Sequence, residues 1–485
     1  MNAPCCNRAT SGYHRVKVLV FKSQVGPFES PYHINMRNKP HAVVVGSGPL
    51  GAIAARRLTE NRLKVTMVEA GTPVTEPSGE HYRNAPRFHS NPDSYLPEIL
   101  PFFKFYDHDA QESGLPGASV TSVFGGQGIF WTNNSPRATH EERWDLPGNT
   151  SWDKSYRIAE SYLGVTDHAF EGSFRADSIK RCLEPQLTEA GRRVIQQPFS
   201  GWMNEDESIH YLATADILEP IKDGLLTHVC GTVDRILVND GKARGVLIEG
   251  QELIADVVFI AAGTIDTTLL LMRSEIGEPA LGTHLTYHPV MIAQIVLDEQ
   301  LRPPTGDADP PPRLQIPPTP QTPWNVMVLR DTSPVPPHPD DADVEENSLV
   351  EIQIFCPIEN RPTNRMKLTD EGVKFDVPLS EKDRSNLLSI EKDADAIVKS
   401  LGRYRRGVER TWMDFGFAHL MGACRIGNNL STSVVDANCR PHGTTNLYLS
   451  TVGVIPTPMA VNPTLTGAAL TALSVDHFLN ENATC

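Results

Sequence analysis

The chain lacks any apolar run that approaches the roughly 20 residues needed to span a bilayer. Its eight cysteines are scattered without CxxC spacing, so a disulfide framework is not expected. Basic residues are outnumbered by acidic ones, 44 to 59, and the formal net charge is -15. An acidic surface disfavours nucleic acid or an anionic membrane as the main partner. The apolar stretch at 18–21 is shorter than the core of about 7–15 residues in a secretory signal, so the cytoplasm is the expected location.

The 485 residues, 40% of them apolar, exceed what one core usually serves. Two intertwined domains are therefore expected, preceded by an N-terminal arm at 1–39. The stretch 301–345 is dense in proline and ends in an acidic run. Such a composition predicts an extended surface insertion outside the core, placed near the entrance of a site.

A strand–turn–helix–strand pattern opens the folded part of the chain. His41–Val45 is a continuous apolar run, typical of a buried parallel strand, and 64–68 reads as the next strand. Between them lie Gly46, Ser47, Gly48 and Gly51, in the GxGxxG spacing that lets backbone amides approach a pyrophosphate. Glu69 ends the second strand and is placed to bind an adenosine ribose. The pattern predicts dinucleotide binding at a helix N-terminus; the alternative is an ordinary strand–helix turn.

A second glycine-rich loop runs from Phe124 to Arg137 and contains Gly125, Gly126 and the pair Trp131-Thr132. Its glycines would let the backbone pass close to a flat ligand, and its amides could bind phosphate or ring oxygens. The alternative is a turn whose aromatic residues only pack.

Two polar side chains stand in small or apolar surroundings near the C-terminus, His419 and Asn462. A histidine beside a second hydrogen-bonding group can take a proton from an alcohol. Each residue alone has an ordinary explanation, a structural histidine and a turn residue before Pro463. No cluster of metal-ligand residues stands out, and none is assigned.

The combination resembles the glucose–methanol–choline (GMC) oxidoreductases, which are flavoproteins, and within them most resembles the pyranose-oxidase branch. The resemblance is carried by Gly46–Gly51 with Glu69, Gly125–Arg137, Ala255–Thr264, Ser433–Asp436, Asn446–Leu449, Ile455–Thr457 and Asn462–Thr466. It implies an α/β fold: an FAD-binding, Rossmann-like doubly wound domain joined to an α+β substrate domain. The implied bounds are 40–150, 215–290 and 405–485 for the FAD-binding domain, and 151–214 with 291–404 for the substrate domain.

The resemblance also implies residue roles. His419 would be the catalytic base near flavin N5, with Asn462 as its partner on the substrate hydroxyl. Residues implied at the cofactor are Thr132 at the flavin edge, Val229 at the adenine, Ala262, and Pro463 with Thr464 along the ring. Pyranose oxidases bind the flavin covalently through a histidine just before the Trp-Thr pair. Phe130 stands there in this chain, so FAD is expected to be non-covalent.

The expected function is oxidation of an alcohol group of a sugar or sugar-like polyol, with hydride transfer to FAD and then electron transfer to O₂ or another acceptor. Formation of a small metabolite from glucose, such as a kojic-acid-type pyranone, is one setting that would suit it. Two alternatives stay open: oxidation of a non-sugar alcohol, and a flavin-bearing lyase that uses His419 without redox chemistry. A polar pocket built from 290–410 would favour sugars, and an apolar one the first alternative. The oligomeric state stays open.

Overall fold

The computed structural model describes residues 17–19, 40–90, 94–106, 115, 117–148, 150–206, 208–304, 309–330, 338–341, 344–413 and 419–483. Of the N-terminal arm expected at 1–39, only 17–19 lies within the described residues. The helices are α1 (Pro49–Glu60), α2 (Pro86–Ser90), α3 (Tyr95–Ile99), α4 (Trp152–Leu163), α5 (Phe174–Glu189), α6 (Thr214–Leu218), α7 (Gly263–Arg273), α8 (Glu381–Leu401) and α9 (Thr464–Ala483).

The strands are short, and most belong to two large sheets. They are β1 (Lys17–Leu19), β2 (His41–Val45), β3 (Lys64–Glu69), β4 (Phe103–Phe105), β5 (Ser119–Thr121), β6 (Val165–Thr166), β7 (Ile195–Gln196), β8 (Phe199–Met203), β9 (Ile209–Tyr211), β10 (Leu226–Cys230), β11 (Val233–Asn239), β12 (Lys242–Ile248), β13 (Gln251–Ile254), β14 (Val257–Ile260), β15 (Val290–Leu297), β16 (Arg313–Ile316), β17 (Asn325–Leu329), β18 (Leu349–Phe355), β19 (Arg365–Thr369), β20 (Gly372–Asp376), β21 (Gly402–Tyr404), β22 (Thr411–Met413) and β23 (Leu447–Leu449).

The first large sheet has the order β1-β10-β3-β2-β14-β23, parallel except for β1 at its edge. Its central strands are apolar runs because helices cover them; β14 is buried along its whole length. Helix α1 packs on this sheet and on α9. The small residues Gly51, Ala52, Ala54 and Ala55 of α1 are all buried, which lets the helix lie close to the strands. This sheet is the predicted dinucleotide-binding unit.

The second large sheet has the order β21-β15-β18-β17-β16-β7, with β22 also paired to β15. Alternation along its strands gives it two different faces. One face carries Met291, Ala293 and Ile352 against helices α5 and α8. The other carries Val290, Ile292 and Phe355 and turns toward the first sheet. The bounds of the two domains stay a prediction, although strands of each sheet fall mostly in the expected segments.

The expectation that 301–345 is a surface insertion outside the core is wrong for two of its segments. Every residue of β16 and β17 is buried, and both strands lie inside the second sheet. The prolines stand at 310–312 and 317–323, before and after β16, where no ladder hydrogen bond is needed. Nor does any described residue of 301–345 line the large cavity of the molecule, so its placement at the entrance is not supported.

Across the described residues, no helix is both long enough and apolar enough to cross a bilayer.

Candidate active site

A cavity of about 680 Å³ extends from the carboxyl ends of β2 and β3 to the second sheet. The ends of parallel strands are where α/β sheets bind nucleotides. Most residues predicted for the cofactor or for catalysis line this cavity. They are Gly46, Ser47, Gly48, Glu69, Gly126, Thr132, Ala262, His419, Asn462, Pro463 and Thr464.

The three glycines of the first turn have three different roles. Gly46 has a φ of +102°, and a Cβ there would lie 2.4 Å from the carbonyl oxygen of Ala261. A Cβ on Gly51 would lie 2.1 Å from the Gly46 oxygen, so Gly51 permits close helix packing rather than lining the cavity. A Cβ on Gly48 would meet no atom within 4 Å. Gly48 therefore borders open space at the N-terminus of α1, where a phosphate group fits.

The Glu69 carboxylate is held against this turn. It accepts hydrogen bonds from the amide of Ser47 at 3.0 Å, the hydroxyl of Ser47 at 2.7 Å and the amide of Gly71 at 2.9 Å. Burial raises the pKa of the Glu69 carboxyl, and the hydrogen bonds from Gly71 and Ser47 oppose the rise. The acid therefore braces the glycine turn as well as facing the cavity.

The second glycine loop docks directly on the first. The Gly125 amide donates to the Ser47 hydroxyl at 2.8 Å, so Gly125 supports the turn although it does not itself line the cavity. A Cβ on Gly126 would lie 3.2 Å from the Gly48 Cα. A side chain at Gly126 would press on the first loop, so this glycine permits the close approach of the two backbones beside the cavity.

Phe130 and Thr132 follow on the same loop and both line the cavity. The Phe130 ring is packed among aromatic side chains and stacks on Phe102 with ring centroids 5.4 Å apart. Its carbonyl accepts the Tyr95 hydroxyl at 2.7 Å. The position just before the Trp131-Thr132 pair is thus held by a hydrocarbon ring with no nucleophilic atom.

Val229 is the one predicted cofactor residue that the structure places inside a sheet away from the cavity. It sits in β10 between Val68 of β3 and Val18 of β1. It therefore lies inside the sheet and does not line the cavity. The chain enters the cavity two residues later, at 231–233.

His419 and Asn462 both line the cavity and lie next to each other. The Asn462 amide nitrogen lies 3.4 Å from His419 Nε2, and the Phe355 ring flanks the imidazole at 5.7 Å between centroids. Burial, and secondarily His288, lower the pKa of His419 well below the usual histidine range. The imidazole is therefore neutral at neutral pH and able to accept a proton.

Two residues that sequence reasoning missed hold this pair in place. His288 hydrogen-bonds His419 Nδ1 from behind. Glu142 fixes the loop that carries Asn462: its carboxylate accepts from the amides of Ala460 at 2.5 Å and Val461 at 3.3 Å. No motif marks either residue, because each acts on a segment more than a hundred positions away.

Glu80, His210 and Asp216 form a group of potential metal ligands among the described residues. Their atoms are already used, since His210 bonds Asp216 at 3.1 Å and Asp216 also caps the Ala213 amide at 2.7 Å. The group is explained by these contacts.

Residues 364–471 match the family model described as GMC oxidoreductase. The chain is 29% identical to a C-glycoside 3-oxidase of Microbacterium trichothecenolyticum, over 90% of this chain and 96% of the relative. It is 26% identical to a pyranose 2-oxidase of Emericella nidulans, over 90% and 92%. Formate oxidase from Aspergillus oryzae RIB40 superposes with a TM-score of 0.67 at 14% identity, covering 92% of this chain and 99% of that one.

Fold and cavity together define a flavin-dependent oxidoreductase acting on CH–OH groups. Residues 364–471 form a GMC oxidoreductase domain, and the relatives along nearly the whole chain are consistent with the pyranose-oxidase branch. Its cofactor is FAD. The residues present fit that group: open space beside Gly48, a carboxylate at Glu69, and two glycine loops in contact.

Proposed function

We propose that the protein oxidises a hydroxyl group of a sugar or sugar-like polyol. When bound, FAD supplies at N5 the acceptor for the hydride that leaves the carbinol carbon, and O₂ or another acceptor then takes the electrons. Relatives named for sugar and glycoside oxidation along nearly the whole chain support this proposal.

The observation that carries the proposal is the arrangement of Asn462 beside His419. Asn462 is 5% exposed, and its Oδ1 has no hydrogen-bond partner among the described residues. A buried, unpaired acceptor is costly unless a ligand satisfies it. A substrate hydroxyl can give its proton to His419 Nε2 while its oxygen accepts from the Asn462 amide. A neighbouring hydroxyl can then donate to Oδ1, which is a requirement that a polyol meets.

The chain's own contribution is to place and deprotonate that hydroxyl. His419 Nε2 takes the proton, and a positioned general base contributes about 10²–10⁴ in rate. The Asn462 amide holds the oxygen as its charge grows.

One observation favours a second candidate, a non-sugar alcohol or a sugar bearing an apolar group. The second sheet presents Val290, Ile292 and Phe355 to the cavity, joined by Met413, with Gln353 as the polar exception. By the criterion of pocket polarity, this wall suits an apolar part of a substrate. The polar end at Asn462 and the apolar wall are compatible with one molecule that has both parts.

Anaerobic mixing with a panel of free sugars, glycosides with aryl groups, and aliphatic and aryl alcohols tests the proposal. We expect polyols to bleach the flavin, and glycosides carrying an apolar group to bleach it at lower concentration. Bleaching only by simple aliphatic or aryl alcohols would favour the second candidate. Turnover while the flavin stays oxidised would instead show the lyase chemistry. Glucose belongs in the panel because formation of a kojic-acid-type pyranone would start from it.

The FAD is expected to be non-covalent because the Phe130 ring has no atom that can bond to the flavin. Acid precipitation should leave the yellow colour in the supernatant and a colourless pellet. Flavin that stays with the pellet after washing would contradict this expectation and would require another attachment residue.

The rate of flavin reduction should be flat from pH 8 through 6.5 and should fall only in more acid solution. The neutral imidazole is the active base, and the lowered pKa of His419 keeps it neutral below the usual histidine range. Stopped-flow reduction at saturating substrate measures the profile. An inflection at or above pH 6.5 would argue against His419 in this environment.

A further inference from the structure

His288 lies just before β15 and is 3% exposed. It does not line the cavity. Its ring stands nearly perpendicular to that of His419, with centroids 4.4 Å apart, and its Nε2 is hydrogen-bonded to His419 Nδ1. A buried histidine behind a candidate base can be packing, or it can determine how that base carries its proton.

The hydrogen bonds of His288 decide which nitrogen of each ring is protonated. Its Nδ1 lies 3.0 Å from the carbonyl oxygen of Met459, which can only accept, so Nδ1 carries a hydrogen. Burial lowers the pKa of His288 to about 4, so the ring is neutral at neutral pH and Nε2 has a lone pair. The bond between the two rings is then donated by His419 Nδ1. Neutral His419 is left with its lone pair on Nε2, the atom that faces Asn462.

No carboxylate hydrogen-bonds either ring among the residues that the structure describes. The orienting group of this base is therefore a neutral imidazole anchored on a backbone carbonyl. Met459 belongs to the same loop as Asn462. Glu142 holds that loop by accepting hydrogen bonds from the two amides that follow Met459. The loop from Met459 to Asn462 thus positions the Asn462 amide and, through His288, sets the tautomer of His419.

We infer that His288 is a positioning residue that holds His419 in the tautomer protonated at Nδ1, with the Nε2 lone pair directed at the substrate hydroxyl. The inference rests on the proposed function and adds to it the determinant of base geometry. A tautomer with hydrogen on Nε2 could not accept the hydroxyl proton.

The matched variants are His288→Leu and His288→Gln. Leucine keeps much of the volume and removes the acceptor, whereas a glutamine carbonyl can reach the place of His288 Nε2 and accept from His419. We expect His288→Leu to lower the limiting rate of flavin reduction by about tenfold or more, the size of one lost orienting hydrogen bond. The substrate dissociation constant should stay within about threefold, and His288→Gln should recover most of the rate.

A double-mutant cycle with His419→Ala separates positioning from a structural effect. If His288 acts through His419, adding His288→Leu to His419→Ala should cause no further loss. An equal loss in both backgrounds, or a normal rate in His288→Leu, would overturn the inference while leaving the proposed function intact. Failure of every alcohol in the panel to reduce the wild-type flavin would overturn both.

A readout independent of turnover comes from ¹⁵N-histidine labelling. The His419 signals, identified by their loss in His419→Ala, should show hydrogen on Nδ1 in the wild type and in His288→Gln. In His288→Leu they should show a mixture of tautomers. FAD content and thermal unfolding of each variant verify that the fold is kept. An unchanged Nδ1–H tautomer in folded His288→Leu would refute the positioning role.

Discussion

His419→Ala should reduce its flavin about 10²–10⁴ times more slowly than the wild type at neutral pH, because it loses the general base proposed for the reacting hydroxyl. Among the described residues, no other titratable side chain is hydrogen-bonded to Asn462 at this end of the cavity. His288 stands behind His419 and is committed to the Met459 carbonyl. The substrate must then lose its proton to water before the hydride can leave.

Two further results should accompany that loss. The rate in His419→Ala should rise with pH, since more of the substrate is present as alkoxide. Added imidazole should restore part of the rate if it fits the space left by the side chain. His284→Ala is the matched control, since His284 is also mostly buried but does not line the cavity. It should reduce its flavin normally. A normal rate in His419→Ala with full FAD content would refute the base assignment.

The parts of the fold that could be predicted are those whose signals are local. Gly46, Gly48 and Gly51 stand between two apolar strands, so the strand–turn–helix unit is specified within thirty residues. The start of helix α8 is local in the same way, because Ser380 caps it by accepting from the Asp383 amide at 3.1 Å. In both cases neighbouring residues determine the conformation directly.

The parts that could not be predicted depend on distant pairing. Strands β16 and β17 were not predicted, because the prolines around them dominate the composition of this stretch. They belong to the core because β16 pairs with β7 and β17 pairs with β18. Val229 does not line the cavity, because its strand is paired with a neighbour on each side within the sheet. His288 contacts a residue that lies 131 positions away in the chain, and Glu142 contacts one that lies 318 positions away. The sequence around each of them therefore contains no signal of its role.

Gly48→Asp should give a folded protein that does not retain FAD. Gly48 has φ -61° and ψ 176°, a conformation open to any residue, and a Cβ would meet no atom within 4 Å. The side chain would enter the space at the N-terminus of α1, where the structure leaves room for a phosphate. Juxtaposing like charges at a binding site costs several kcal/mol. We therefore expect FAD affinity to fall by about 10²-fold or more.

Gly48→Asn is the matched control, because it has the same shape without the charge and should bind FAD more tightly than Gly48→Asp. Gly51→Ala should affect the stability of the fold, whereas Gly48→Asp should affect FAD binding. The Cβ of Gly51→Ala would lie 2.1 Å from the Gly46 oxygen, so the fold itself should lose stability. Flavin absorbance per protein after gel filtration and thermal unfolding separate the two effects. Folded Gly48→Asp with a full complement of FAD would show that the phosphates do not lie at this turn. In that case, the open space beside Gly48 would need another explanation.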